Sequence, residues 1–405
     1  MTNTIFVPGT FTENWRHLMG ITDSVTRAAH NAWALFAGDG LAPPHRTESV
    51  VVGRGPHRTL RRFGPDDGGD PVLLVTPLAA SPTCYDLMPD QSLVQYLSEL
   101  GRSTFVVEYG EMTSEDRDLG LEYWIDEIVP ESIHLVSELC GNRDVDVVAW
   151  SIGGAMALLT SAAHPELPVR SITAFGSPLD FSKIPVMAPL RLIGKLCAEP
   201  VIDVLNSVFG GVPAPLVQAA YRVTALDREL ARPWFVASNI TDAGKLSRME
   251  LVDRFQDEIS GYAGRAFAQL AQMTVANDLS GGKLRLGERV VDLAGVTVPV
   301  LAFAGTEDIL APSRAVEPVT RLLPNTSVRF VEVPGTHLGM LAGARARTTS
   351  WVELAAFLEE PGCDEEPGCD EEPGYGVEAG FVDPGQDRSA SPSPAAAPHP
   401  ERADR

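Results

Sequence analysis

The chain has 405 residues, 44% of them hydrophobic, with 54 Asp and Glu against 32 Lys and Arg for a formal net charge of −22. That is enough apolar sequence for one large domain with insertions or for two ordinary ones, and it excludes collagen-like and disulfide-stapled proteins. The acidic balance, with no cluster of Lys or Arg, also excludes electrostatic binding to nucleic acid, whose phosphates need a basic stripe.

In chain order, residues 1–45 read as an N-terminal helical extension, helical in pattern from Trp15 to Ala37. Met1 to Gly20 lacks the basic and apolar regions of a signal peptide. No stretch of about 20 uncharged apolar residues occurs, so no membrane span is expected. With five scattered Cys, the expected location is cytoplasmic. Glu48 to Phe63 reads as an edge hairpin turning at Gly53 to Pro56. Short β-rich runs then alternate with helical stretches, which predicts a mostly parallel sheet with helices on both faces. The strands are Val72–Val75, Thr104–Glu108, Val145–Trp150, Arg170–Phe175, Val298–Phe303 and Val328–Val333. Most are continuous apolar runs, as strands buried on both faces require. Helices are expected at Tyr123–Leu139, Gly154–Ala163 and Thr348–Leu358.

The alternation breaks once, over 181–296, which is helical in pattern and cut by several prolines in its first part. Its place after one strand and before the last two predicts a helical cap over the C-terminal edge of the sheet. The core is then 46–180 together with 297–360. Residues 361–405, a Glu-Glu-Pro-Gly repeat followed by a Ser/Pro/Ala run, read as a disordered tail. From Glu359 onward, 13 Asp and Glu against 3 Arg leave −10 there and −12 for the first 358 residues. Cys363 and Cys369 in this repeat match no zinc spacing, and neither a metal nor a cofactor is called for.

The third strand runs through Ala149-Trp150-Ser151-Ile152-Gly153-Gly154 into a helix, the strand–turn–helix context of a nucleophile elbow. Small residues are needed there because strand and helix approach closely. A serine hydroxyl needs a base, and the base needs a carboxylate to fix its tautomer. The loop after the fifth of these strands carries Glu307 and Asp308, and the loop after the sixth carries His337 between glycines. Ser151, Asp308 and His337 are therefore the candidate catalytic residues. Glu307 and Asp180 are alternatives for the acid; the other reading of Asp180 is a helix N-cap or turn residue. The oxyanion donors are expected from the backbone N–H of Ile152 and of Leu78 or Ala79, in the loop after the first of these strands. Cys84 reads as a packing residue. Apolar residues of the cap, among them Met187, Leu190, Leu192, Ile193, Leu196, Val201, Ile202, Leu205, Val208 and Phe209, either line an acyl pocket or form the cap's own core.

Over roughly Pro71 to Phe357 the sequence resembles the polyhydroxyalkanoate synthases, a branch of the α/β-hydrolases. The pieces are Leu74 through Asp86 into Ser92–Leu97, the elbow Trp150–Gly154, Pro178–Phe181, and Arg289–Leu293 leading to the acid loop. The resemblance implies an α/β-hydrolase fold, an acyl-CoA or hydroxyacyl-ester substrate and a covalent acyl-enzyme. It also implies a Cys nucleophile where this chain has Ser151, and an Asn-Lys-type pair where it reads Leu78-Ala79-Ala80. Serine favours transfer to water. The expected function is a serine hydrolase cleaving a hydrophobic acyl ester or thioester, in the manner of an esterase, lipase or depolymerase. The alternatives are a synthase-like acyltransferase using 3-hydroxyacyl-CoA, and a non-catalytic protein binding a granule or lipid surface. Expected partners are an acyl ester, acyl-CoA or polyester substrate, a lipid or granule surface, and a second copy of the chain.

Overall fold

The computed structural model describes residues 9–42, 45–64, 68–189, 191, 204–224 and 226–360. The expected tail, with Cys363 and Cys369, lies outside them, as do Leu190, Leu192, Ile193, Leu196, Val201 and Ile202. Twelve strands are described. Eight of them, β1 (Ser49–Gly55), β2 (Arg58–Phe63), β3 (Pro71–Val75), β4 (Ser103–Glu108), β5 (Val145–Trp150), β6 (Val169–Phe175), β11 (Val300–Gly305) and β12 (Val328–Val333), form one sheet. Its order is β1-β2-β4-β3-β5-β6-β11-β12. The β1–β2 hairpin is antiparallel and joins β4 antiparallel, and every other pairing is parallel. The remaining strands pair outside this sheet, β7 (Gly211–Val212) with β8 (Tyr262–Ala263) and β9 (Lys283–Leu286) with β10 (Arg289–Asp292).

The two-residue period of the strands divides the core. Leu73, Val75, Val147, Ala149, Val300 and Ala302 pack on one face, against Ile133 and Val136 of α3 (Val129–Leu139) and Met156 and Leu159 of α4 (Ile152–Ala163). Val72, Leu74, Val148, Trp150, Leu301 and Phe303 pack on the other, with Leu93 and Leu97 of α2 (Leu93–Glu99) and the C-terminal helix Ser350–Leu358. Strands apolar at every position have a helical layer to meet on each side, which is why they read as continuous runs. α3 continues a helical stretch that begins at Leu121 and passes through a π turn at Trp124–Ile128. Pro130 lacks the N–H that the carbonyl of Asp126 would accept, so the regular ladder cannot close there.

Before the sheet, α1 (Gly9–Ala37) ends near α7 (Ala243–Asp257), whose Glu250 carboxylate accepts the N–H groups of Leu41 (2.6 Å) and Ala42 (3.0 Å). The described part of 181–296 is mainly helical, with α5 (Ala214–Thr224), α6 (Leu226–Ser238), α7 and α8 (Gly264–Ala276). The all-helical expectation fails over 283–292, where β9 and β10 form a hairpin. Alternate burial of Leu284 and Leu286, with exposed Lys283 and Arg285 between them, is the pattern of a one-sided strand. Its apolar side joins the core beside α4 rather than a core of the cap. No helix among the described residues is long and apolar enough to cross a membrane.

Phe175 and Phe303 stack at 4.6 Å with rings 24° apart, both fully buried. Truncating one leaves a cavity that β6 and β11 cannot close. Phe303→Ala is expected to lower stability by about 3–5 kcal/mol. Val50→Ala, on the exposed edge strand, should change it by no more than about 0.5 kcal/mol. Urea denaturation of the two variants checks this contrast.

Candidate active site

Ser151 lies between β5 and α4 with φ 55° and ψ −130°, a backbone conformation that L side chains rarely adopt. The turn is tight because α4 starts directly against the loop after β3. A Cβ on Gly153 would lie 2.9 Å from the Val75 carbonyl oxygen and 3.2 Å from the Pro77 nitrogen. Only glycine permits that approach. It brings the Thr76–Ala79 loop beside the N-terminus of α4.

The other loops meet Ser151 by extending the sheet ladder past the strand ends. Ser151 N–H donates to Phe175 O (2.8 Å), Gly176 N–H to Phe303 O (2.8 Å), Thr306 N–H to Val333 O (2.9 Å) and Glu307 N–H to Gly335 O (3.0 Å). Gly176, at φ 54°, leaves room for the imidazole: a Cβ there would lie 3.2 Å from His337 Nδ1 and Cε1.

These contacts place the three candidate residues in one line. His337 Nε2 lies 2.8 Å from Ser151 Oγ, and His337 Nδ1 lies 2.7 Å from Asp308 Oδ2. Asp308 Oδ1 accepts the N–H groups of Leu310 (2.8 Å) and Ala311 (2.9 Å), so the carboxylate is fixed from both sides and its side chain is fully buried. With the carboxylate accepting at Nδ1, the imidazole carries its proton there and turns the Nε2 lone pair toward the serine hydroxyl. Trp150 holds the same histidine from below. Its indole N–H donates to His337 O (3.0 Å), and the two rings lie 5.1 Å apart.

The alternative acids have other roles. Glu307 is largely exposed and pairs with Arg345 at 2.9 Å. Asp180 is the N-cap of a short helical turn at Phe181–Lys183, accepting from Ser182 N–H and Oγ–H and from Asn277 Nδ2. Burial by itself would raise its pKa, but these hydrogen bonds hold the carboxyl below its ordinary value. Asn277 also accepts the Phe181 N–H (2.7 Å), clamping the end of α8 to the loop after β6. Cys84 is fully buried, and burial pushes its thiol well above the ordinary value, so it packs rather than reacts.

Among the described residues, no hydrogen bond engages the backbone N–H of Leu78, Ala79 or Ile152. The Leu78 side chain is core, while Pro77, Ala79 and Ile152 face the cavity above Ser151. That cavity has a volume of about 850 Å³ and is lined mainly by apolar side chains. Of the described residues expected to line it from the cap, Met187 does. Leu205 packs against Val212 and Ile259, and Val208 and Phe209 are exposed. The cap contributes instead Arg248, Val252, Phe255, Ile259, Phe267 and Met273. The sequence reading missed these residues, together with Gln91 and the role of the Trp150 indole; the alternating burial of α7 and α8 carries no mark of which turn faces the serine. No group of three His, Cys, Asp or Glu suited to a metal occurs among the described residues.

The strain at Ser151 gives a stability test free of any assay. Glycine adopts this conformation without cost, so Ser151→Gly should be about 1–2 kcal/mol more stable than Ser151→Ala in urea. Equal stability of the two variants would mean that the turn is unstrained.

No family model matches the chain. It is 26% identical over 72% of its length to the poly(3-hydroxyalkanoate) polymerase subunit PhaC of Allochromatium vinosum, covering 81% of that protein. It is 23% identical, again over 72% of its length, to the subunit of the same name from Haloferax mediterranei, of which it spans only 58%. Among solved structures, a bromoperoxidase from Bacillus anthracis aligns over 78% of this chain and all of its own, with 15% identity and a TM-score of 0.45. The strand order, the antiparallel β1–β2 edge and the strand–turn–helix at Ser151 are those of the α/β-hydrolase fold.

Proposed function

We propose that the chain is a serine hydrolase acting on a hydrophobic acyl ester or thioester. One observation carries this: Ser151, His337 and Asp308 are joined by hydrogen bonds of 2.8 and 2.7 Å at the floor of an apolar cavity of about 850 Å³. In this reading Ser151 Oγ attacks the carbonyl carbon while its proton passes to His337 Nε2. Asp308 stabilises the resulting imidazolium. The negative charge that develops on the carbonyl oxygen is met by the N–H groups of Ile152 and of Leu78 or Ala79, each worth about 3–4 kcal/mol to the transition state. The bond to the alcohol or thiol then breaks, and the leaving group takes the proton from His337. Water, deprotonated by the same imidazole, cleaves the acyl-enzyme and releases the acid. Phe181, Met187, Leu270 and Met273 supply an apolar wall for the acyl chain. A cytoplasmic location belongs to the same proposal.

The relatives support a second reading. Proteins named poly(3-hydroxyalkanoate) polymerase subunits match 72% of this chain, which favours an acyltransferase in which a hydroxyacyl group replaces water as the acceptor. The covalent step on Ser151 is common to both readings.

A panel of acyl esters and acyl-CoA thioesters, run on wild type and Ser151→Ala, tests the proposal. Turnover should vanish to background in the variant, and Asp308→Asn should lose on the order of 10⁴-fold in kcat through the wrong imidazole tautomer. With 3-hydroxybutyryl-CoA the products decide between the readings. Free acid and CoA are expected, and accumulation of polymer would replace the hydrolase reading by the transferase one.

A further inference from the structure

The cavity straddles the C-terminal edge of the sheet. Trp150 packs with the core of one sheet face and Ile152 with the core of the other, so Ser151 stands at the divide. On the Ile152 side the wall includes Phe181, Met187, Leu270 and Met273, which pack with that same core. On the Trp150 side it includes Leu87, Met88, Phe255 and Ala342, and this arm also carries Gln91 and Arg248.

Arg248 is the only Lys or Arg among the described residues that line the cavity. Among the described residues no carboxylate pairs with it within 4.0 Å; Asp242 feels its charge from farther away and is itself paired with Lys245. The carboxylates on the wall are already engaged, Asp308 by His337 and Glu307 by Arg345. Arg248 is nevertheless positioned. Gln91 is 5% exposed, and its amide satisfies both ends when the nitrogen donates to Ala342 O (2.6 Å) and the oxygen accepts from Arg248 Nε (3.2 Å). In that orientation, which replaces a contact of the amide nitrogen with Met88 Sδ, the buried amide accepts from Nε and the terminal nitrogens remain as a fork that matches a carboxylate or phosphate.

From a carbonyl carbon bonded to Ser151, the acyl chain and the leaving group diverge. The side walled by Phe181, Met187, Leu270 and Met273 suits the hydrocarbon, which leaves the Arg248 side for the alcohol or thiol. We propose that Arg248 is a specificity-determining residue that binds an anionic oxygen group, carboxylate or phosphate, carried on the leaving group. This rests on the reading of Ser151 as the nucleophile. Because Arg248 is exposed at the rim, its effect should be about tenfold rather than thousandfold, and weakened by salt.

The test compares matched butyryl donors: a 4-nitrophenyl ester with and without a 3-carboxylate on the ring, and butyryl-CoA against the uncharged N-acetylcysteamine thioester. In wild type the charged member of a pair should have the higher kcat/KM. Arg248→Gln should reduce the charged-to-neutral ratio about tenfold, chiefly through KM, and Arg248→Lys should restore part of it. A response of the ring carboxylate alone or of CoA alone identifies which anion the fork takes, and either supports the proposal. An unchanged ratio overturns it, as does an equal loss on both members of each pair. A selective loss with the hemisuccinate ester, whose charge sits on the acyl side, overturns the assignment of the arm. Absence of Ser151-dependent turnover on every donor would instead be a failure of the hydrolase reading.

Discussion

The site depends on how closely four stretches of backbone approach at the C-terminal edge of the sheet. Hydrogen bonds continue from strand to loop beyond β5, β6, β11 and β12, joining Ser151 to Phe175, Gly176 to Phe303, and Glu307 to Gly335. Loops bonded in this way behave as part of the sheet. Three side chains from distant parts of the sequence can therefore be held within hydrogen-bond distance without relying on mobile connections. The requirement falls on small residues: a methyl group at 153 would strike the β3 loop, and one at 176 would crowd the imidazole.

That constraint explains which parts of the molecule are readable from sequence. Most of the six parallel strands announce themselves because burial on both faces demands nearly unbroken apolar runs; β12, at the sheet edge, carries Arg329 and Glu332 and is only partly buried. The structure places them within three residues of the expected positions, with the hairpin at the edge. Ser151, Asp308 and His337 stand out for a topological reason. In a parallel sheet each strand ends on the same edge, so polar residues just past three strand ends must share a neighbourhood. Asp180 also follows a strand, and sequence alone leaves it as a weaker rival. It is the hydrogen bonds from Ser182 and Asn277 that assign it to a helix turn.

The cap is legible in outline only. Pattern and prolines mark 181–296 as an interruption, yet which of its apolar residues face the serine depends on rotations and crossings of helices that periodicity does not record. Val208 and Phe209 are as apolar as Phe255 and Phe267, and only the latter pair lines the cavity. Lys283–Asp292 is a comparable case: ten residues joined by a tight turn carry too few repeats to separate a hairpin from helix. Gln91 and Arg248 are ordinary polar residues in sequence, and come within hydrogen-bond reach of each other only where α7 meets the segment after β3.

The division of the cavity at Ser151 bears on timing. In the proposed reaction, when an acyl group is bound to the serine and the first product has left, one side would remain filled with hydrocarbon while the other stands vacant. Whatever enters the vacant arm next becomes the acceptor. Choice between water and a second acyl unit would then be settled by occupancy of a single compartment during the lifetime of the intermediate, with the serine and histidine performing the same proton movements, and the aspartate the same charge stabilisation, in both outcomes.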